Sequence, residues 1–404
     1  MLPQIICALL TTISRIRIGN VFWVLVVFYF ITVFWSNHRK VKIFQDILDS
    51  QKLKNNSLLE NIIHQLDCEY PDELFFVDTS KTDDIMNNSE DKCAIVNQLY
   101  KFNSDPLSDE ENQYPIAYGI LAYKDITQFL FMLSAIYQPQ NVYCIAYPQN
   151  ANEKFRKIIG NLGKCWKNVF IFERAPIEWG DFEIINAVYD CLKHSSNMKN
   201  NNWKYFQYLS GFDVPLKTNL EMVRSFKSLN NMPNLLVEVF HTYRFINENI
   251  SESPLPIWKS SLSALIPRKT ANFLTNSDIP EKLLRFLNNT EIADESFWAT
   301  LLGNKDIYDV PGSFNALDSP RNSDQPIGYK PYISRLQIWD NNNMCKGYIN
   351  HGSCVFGIND LLYLRKSKHL VAHKFHLDFQ PAAYFCLLKE HFERSYNKFG
   401  KLVN

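Results

Sequence analysis

The sequence predicts an α/β domain built on a central mixed, mostly parallel sheet, preceded by an N-terminal transmembrane helix and a stem. Three observations carry this expectation. After Tyr114, short apolar runs alternate with amphipathic helical patterns. Val21 to Trp35 is a run of 15 residues without a charge. The 404-residue chain is 46% hydrophobic and 14% aromatic, which is ample for a sizeable core.

In chain order, residues 1–19 read as a cytosolic tail, 20–36 as a transmembrane anchor, 37–112 as a stem and 113–404 as a luminal domain. A spanning helix needs about 20 apolar residues, so the run must borrow Ile16 and Ile18 while Arg17 snorkels, or sit in a thin membrane. A cleaved signal peptide fits less well, because "VFWSN" lacks small residues for a cleavage site. Flanking charge leaves orientation open, with Arg15 and Arg17 before the run and Arg39, Lys40 and Lys42 after it. Glycosylation sequons at Asn55, Asn87, Asn249 and Asn288, and eight of the nine cysteines, lie after the run, with only Cys7 before it. Both suit an oxidising lumen.

The stem segment is rich in Asn, Asp and Ser. Within it, "IFQDILDSQKLKNNSLLENIIHQL" has apolar residues at helical spacing, and "KTDDIMNNSEDK" reads as a solvated loop. Beyond Tyr114, "YPIAYGILAY" reads as a strand, "ITQFLFMLSAIYQP" as a helix, "NVYCIAYP" as a strand, "NEKFRKIIGNLG" as a helix and "NVFIFE" as a strand. Ligands of such sheets bind beyond the carboxyl ends of the strands. No Gly-rich fingerprint follows the first strand, which argues against dinucleotide and P-loop folds. Lys plus Arg and Asp plus Glu both number 42, so no overall basic field points to nucleic acid.

Further on, "NWKYFQYLSGFDVPLKTNLEMV" turns the chain at Gly211, Asp213 and Pro215 after an aromatic strand and starts a helix at Thr218. The segment "IADESFWATLL" sets Asp294 and Glu295 in a helix predicted to begin near Thr290. Acids in a first turn face the positive end of the helix dipole. Alternatively, one of the two is a general base, held by Phe297, Trp298 and Leu301 packing the helix down behind it.

Together with "AIYQPQNVYCIAY", "DESFWAT", "SCVFGINDL" and "AHKFHLDFQPAA", in this order, these stretches resemble the Core-2/I-branching family of β-1,6-N-acetylglucosaminyltransferases (glycosyltransferase family 14). The resemblance runs from about Cys68 to the C-terminus. It implies a GT-A-like single catalytic domain, and disulfides joining Cys68 to Cys386, Cys93 to Cys165, Cys144 to Cys191 and Cys345 to Cys354. Sequence alone allows about a hundred pairings of eight cysteines, and no Cys-x-x-Cys spacing suggests a zinc site.

The resemblance further implies inverting transfer of GlcNAc from UDP-GlcNAc to a sugar 6-hydroxyl. Such a step needs a base for the hydroxyl and a positive environment for the departing diphosphate. By resemblance, the base falls on Glu295, with Asp294 capping or bracing the helix start. The diphosphate falls on Lys374, for which an ordinary solvated lysine is the other reading, and on His351, where the family has an arginine. Histidine is charged only below a pKa near 6.5, so it is a weaker anion partner. No Asp-x-Asp occurs, so neither a metal nor any other cofactor is expected, UDP-GlcNAc being the donor substrate.

Ala146, Tyr147 and Pro148 replace a family His-Val-Asp, and Tyr123-Lys124 replaces a His-His, so donor contacts must differ and Lys124 adds a charge. Glu238 falls near an acidic residue that the family uses to hold the acceptor sugar, a surface glutamate being the alternative. Trp179, Trp258 and Trp339 are either sugar-stacking or core residues. The partners expected are a UDP-sugar, a glycan or glycoprotein acceptor, the membrane of the Golgi in single-pass type II orientation, and a second copy in a homodimer. Two rivals stay open: a protein O-xylosyltransferase, and a catalytically silent membrane-anchored domain that binds glycan or protein.

Overall fold

The computed structural model describes residues 57–198, 201–245, 250–318, 331–340 and 343–396. The expected tail and anchor, the first part of the expected stem, and the sequon asparagines Asn55 and Asn249 lie outside the described residues. Among the described residues, no helix is long and apolar enough to cross a membrane.

The elements run α1 (Leu58–Ile63), α2 (Ser80–Asn88), α3 (Lys92–Tyr100), α4 (Asp109–Asn112), β1 (Ile116–Leu121), α5 (Ile126–Ile136), β2 (Val142–Pro148), α6 (Glu153–Leu162), β3 (Val169–Arg174), α7 (Phe182–Asn197), β4 (Tyr205–Ser210), β5 (Asp213–Pro215) and α8 (Asn219–Ser228). They continue with β6 (Glu238–Val239), β7 (Trp258–Lys259), β8 (Leu265–Pro267), α9 (Arg268–Thr275), α10 (Ile279–Leu287), α11 (Phe297–Leu302), β9 (Arg335–Gln337), β10 (Tyr348–Asn350), β11 (Ser353–Val355), α12 (Leu361–Lys366), β12 (Val371–His373) and α13 (Pro381–Tyr396).

The central sheet has the order β3-β2-β1-β4-β8. β1 lies parallel to β2 and β4, β2 lies parallel to β3, and only β8 is antiparallel, against β4. Every residue of β1, β2 and β4 is buried, which is why these strands read as continuous apolar runs rather than alternating ones. In β1, Gly119 is required by close packing, because a Cβ there would stand 2.4 Å from the Phe206 ring of β4. The predicted strand-helix alternation from Tyr114 to Glu173 is therefore present element by element. The predicted helix start at Thr218 is also present, with its hydroxyl accepting from Glu221 N and the Glu221 carboxylate accepting from Thr218 N.

A second, three-stranded sheet has the order β5-β12-β9, with β12 antiparallel to β5 and parallel to β9. The tight turn between β4 and β5, at Gly211 and Phe212, hands the chain from one sheet to the other. Two hairpins, β6–β7 and β10–β11, complete the strands.

Residues 57–112 were expected to be stem, yet they belong to the same compact unit as the sheet, which begins at Asn56. The stretch read as a solvated loop contains α2 instead. Its polar composition conceals Thr82 and Met86, spaced four apart and buried on one face. Of the described sequon asparagines, Asn87 is half-buried within α2 and Asn288 is exposed at the end of α10.

All four expected disulfides are formed, with Cα separations of 5.5 Å for Cys68–Cys386, 5.1 Å for Cys93–Cys165, 5.4 Å for Cys144–Cys191 and 5.6 Å for Cys345–Cys354. The third ties β2 to α7 inside the core, where both cysteines are buried. Replacing Cys144 and Cys191 together by Ala is expected to cost about 2–5 kcal/mol. The same change at Cys345 and Cys354, which are only nine positions apart, should cost less. Denaturant midpoints under non-reducing conditions check the order.

Candidate active site

Glu295, expected as the base, meets the β6–β7 hairpin from the turn before α11. Glu238 and Lys259 are direct partners across the hairpin, and the lysine ammonium is ion-paired to the Glu238 carboxylate. The same Nζ stands 3.9 Å from Oε2 of Glu295. From the other side, Arg244 Nη2 donates to that same Oε2 at 2.9 Å. Both cations thus meet one oxygen of the Glu295 carboxylate. The backbone sets this geometry, since Ser260 N donates to Glu295 O at 2.6 Å and Glu291 N to Arg244 O at 2.9 Å. Glu238, Glu295, Arg244 and Lys259 therefore form one cluster, in which Glu238 is half-buried.

The helix expected to begin near Thr290 begins at Phe297. Ile292 takes a left-handed conformation, φ 52°, and a single 3₁₀ turn, Ala293–Glu295, carries both acids ahead of the helix. Phe297, Trp298 and Leu301 are buried behind it, as expected. No side-chain cap is formed at the first residue of either the 3₁₀ turn or α11. The Asp294 carboxyl is buried, with Oδ1 lacking any hydrogen-bond partner. Burial first, and then the neighbouring Glu295, push it up to about 7 against the opposing pull of Arg244 and Arg335.

This has a measurable consequence. Between the ordinary value of 3.8 and about 7, the folded chain keeps a proton that the unfolded chain releases. The residue's contribution to stability therefore falls as pH rises through that window and is level above it. Asp294→Asn cannot ionise, so the melting temperature of the variant relative to the parent should be higher at pH 8 than at pH 5. A difference independent of pH would contradict this assignment.

The residues expected to meet the donor begin at the carboxyl ends of two strands. β1 runs out into Tyr123 and Lys124, and Lys374 follows β12. Lys374 is nearly buried, and its Nζ donates to the carbonyl oxygen of Asn350 at 2.9 Å and to Oδ1 of the same residue at 3.0 Å. Burial, with the neighbouring Lys124 ammonium second, holds it down to about 8. It is not an ordinary solvated lysine. His351 occupies the β10–β11 turn at φ 48°, followed by Gly352 at φ 71°. Its ring stacks on Trp179, with centroids 5.9 Å apart and an interplanar angle of 23°. Trp179 is 63% exposed and follows β3, so the hairpin reaches over that end of the sheet. A Cβ on the next residue, Gly180, would lie 3.7 Å from Ile292, which places the base turn alongside.

Between the two sides lies a buried polar group that the sequence did not reveal. Asp213 accepts from Ser210 N at 2.8 Å and from Arg335 Nη2 at 3.0 Å, and Nδ1 of His373 lies 2.7 Å from its other oxygen. Burial alone would raise Asp213, but Arg335 and then His373 outweigh it and hold the carboxyl below its usual range. Burial and Arg335 lower His373 to about 4, so it is the neutral imidazole that donates to Asp213. Arg335 also lies over the Tyr208 ring, 4.9 Å from its centroid. It acts on Asp294 as well, and so connects the base turn to the residue preceding Lys374.

The donor-side departures have structural roles. Ala146 is buried in β2, and the Tyr147 hydroxyl donates to Glu173 at 2.9 Å. Tyr123 is partly exposed and meets Phe212 edge-on at 5.3 Å. Trp258 is braced by Asn304, whereas Trp339 lies beneath Gly352. Arg244, Lys259, Asp213, Arg335 and His373 were all missed. The only sequence signal available was a charge embedded among apolar neighbours, as in "PIWKS" and "SRLQIW". Among the described residues, no group of three or more His, Cys, Asp or Glu side chains could hold a metal ion.

An α/β sheet with a carboxylate-and-cation cluster and a lysine site beyond its strand ends defines the general class, a group-transfer enzyme acting on a polar substrate. The chain belongs to the Core-2/I-Branching enzyme family, whose model matches residues 116–344. That span includes Glu238, Arg244, Lys259 and Glu295 and ends before His351 and Lys374. The chain is 28% identical over 399 residues to an N-acetyllactosaminide β-1,6-N-acetylglucosaminyl-transferase of Homo sapiens, covering 92% of each chain. It is 29% identical over 334 residues to a β-1,3-galactosyl-O-glycosyl-glycoprotein β-1,6-N-acetylglucosaminyltransferase of the same species, covering 76% of each. A mouse N-acetyllactosaminide relative is 29% identical over 337 residues, covering 78% of this chain and 82% of its own.

Proposed function

We propose that this chain transfers GlcNAc from UDP-GlcNAc to the 6-hydroxyl of an acceptor sugar on O-glycans or related glycans, with inversion and without a metal, on a GT-A-like domain. The observation that carries the reading is the Glu295 carboxylate. Arg244 and Lys259 both fix it through Oε2, which leaves Oε1 to face a substrate hydroxyl, while Glu238 is held by the same lysine at the position for an acceptor contact.

In the reaction, Glu295 takes the proton of the acceptor hydroxyl as its oxygen attacks the anomeric carbon. The bond from that carbon to the phosphate oxygen breaks, and UDP leaves with the electron pair. Lys374, its neighbour Lys124 and, when protonated, His351 supply positive charge where the diphosphate departs. Four disulfides support a luminal, oxidising compartment. The reading therefore includes a type II Golgi protein anchored through residues 20–36.

The test is transfer from a panel of UDP-sugars to glycan acceptors, with EDTA and with manganese. Turnover of UDP-GlcNAc that survives EDTA is expected. Activity lost in EDTA and regained with manganese would overturn the metal-free step, and transfer of xylose to a protein serine would overturn the donor assignment. Glycan binding without turnover of any UDP-sugar would leave a silent binding domain.

A further inference from the structure

The Lys374 ammonium is held by a single residue. Its Nζ donates both to the backbone oxygen of Asn350, at 2.9 Å, and to the Asn350 Oδ1, at 3.0 Å. Asn350 ends β10 and pairs with Ser353 across a two-residue turn, in which His351 has φ 48° and Gly352 φ 71°. Turns with two positive φ values match the twist of a hairpin, so the tip is stiff. It is also pinned from outside: Ser353 Oγ accepts from Gln337 Nε2 at 3.1 Å, Asp340 N donates to Gly352 O at 3.0 Å, and Cys354 N donates to Ile338 O at 2.8 Å. The lysine backbone is clamped to the same hairpin, with Lys374 N donating to Cys354 O at 3.2 Å and Phe356 N to Lys374 O at 2.9 Å. Both ends of the Asn350–Lys374 contact thus belong to one hydrogen-bonded frame, which the Cys345–Cys354 disulfide closes.

The chemistry of this partner matters. A lysine ammonium has three donors and no acceptor, so two contacts to Asn350 leave one N–H for another group. Amide oxygens orient an ammonium without cancelling its charge, whereas a carboxylate pairs with it, as Glu238 does with Lys259. The charged and titratable groups around Lys374 are Lys124 beyond β1, His373 before it, His376 after it and His351 beside Asn350 on the turn. The carboxylates nearby face these groups instead: Asp125 faces Lys124, Asp213 faces His373 and Asp378 faces His376. An oriented, un-neutralised and nearly buried cation suits an anionic ligand.

We infer that Asn350 is a positioning residue for the donor: it aims the Lys374 ammonium at the departing diphosphate and favours its charged form without neutralising it. The assignment rests on Lys374 meeting the diphosphate in the proposed reaction.

The experiment measures the UDP dissociation constant by calorimetry between about pH 7.5 and 10, where ordinary imidazoles are neutral, in the parent, Asn350→Leu and Asn350→Asp. Both substitutions nearly conserve volume and keep the backbone oxygen. In the parent, affinity should fall above about 8, where Lys374 loses its proton. Asn350→Leu removes an acceptor that favours the ammonium, so the fall should begin about half to one pH unit lower. Asn350→Asp sets a carboxylate against the ammonium, so the fall should begin about one to two units higher, with weaker binding at pH 7.5 because the carboxylate competes with the diphosphate. A merely structural contact would weaken binding in both variants without moving the limb. Limbs that stay in place, or move the same way in both variants, would overturn the assignment. Trace labelling with acetic anhydride, read by peptide mass spectrometry, follows the Lys374 titration without any donor. A parent UDP affinity that is level with pH would overturn the donor role of Lys374, and the assignment with it. The labelling shifts then still show whether Asn350 controls the lysine's charge, so the two failures are told apart.

Discussion

Glu295→Gln is expected to lower kcat by about 10²- to 10⁴-fold while leaving the dissociation constant for UDP-GlcNAc nearly unchanged. Glutamine keeps the volume and one carbonyl oxygen for Arg244, so the turn ahead of α11 should persist. It has no basic oxygen to take the acceptor proton, and the barrier rises by the whole of that contribution. Glu238→Gln makes the contrast, because a residue that holds the acceptor should raise its KM more than it lowers kcat. Asp294→Asn should cost far less turnover than Glu295→Gln. Equal losses in these two variants would show that the roles of the adjacent acids are wrongly divided.

Lys374→Ala should produce the second largest effect, a loss of about 10²-fold in turnover together with weaker UDP-GlcNAc binding. The pH dependence identifies the cause. Lys374 stands near 8 in the free protein because burial and Lys124 disfavour its charge. Below that pH the ammonium is present and meets the diphosphate directly. Above it, binding must first take up a proton, so affinity should fall by up to about tenfold for each further pH unit. Removing the side chain removes that limb, whereas Lys124→Ala should move it upward, since one of the two depressing influences is gone. A UDP dissociation constant that is level between pH 7 and 9.5 in the parent protein would separate Lys374 from the leaving group. His351→Arg should strengthen binding at neutral pH without abolishing transfer.

The parts of this fold that were legible are those whose causes are local or periodic. β1, α5, β2, α6 and β3 announce themselves because buried parallel strands must be continuously apolar and their crossover helices amphipathic. α2 was illegible because its buried side chains are only Thr82 and Met86, and its other ties to the domain, Asp83 with Thr127 and Asp84 with Lys154, are polar and distant in sequence. The boundary before α11 was misplaced because Ile292 adopts a left-handed conformation that its β-branched side chain disfavours, and nothing in its neighbours signals this. Glu295 and Lys374 were singled out through family resemblance. Their partners were not, because Arg244 and Lys259 reach Glu295 across 51 and 36 positions of sequence, and Arg335 reaches Asp213 across 122. Such pairings are decided by how the sheets and hairpins close, and no local pattern encodes them.

The Cys68–Cys386 bond determines where this domain can be cut. It sews the segment just after α1 to the last helix, α13, and so encloses the sheet, both hairpins and every residue assigned to chemistry within a single covalent ring spanning 318 positions. A soluble fragment starting at residue 113, where the strands begin, would leave Cys386 without its mate and strip the helices that cover α13. A protease that releases the catalytic part in active form must therefore cleave upstream of Ser57. A cut between Cys68 and the first strand would instead leave a nicked molecule whose pieces stay joined until they meet a reductant.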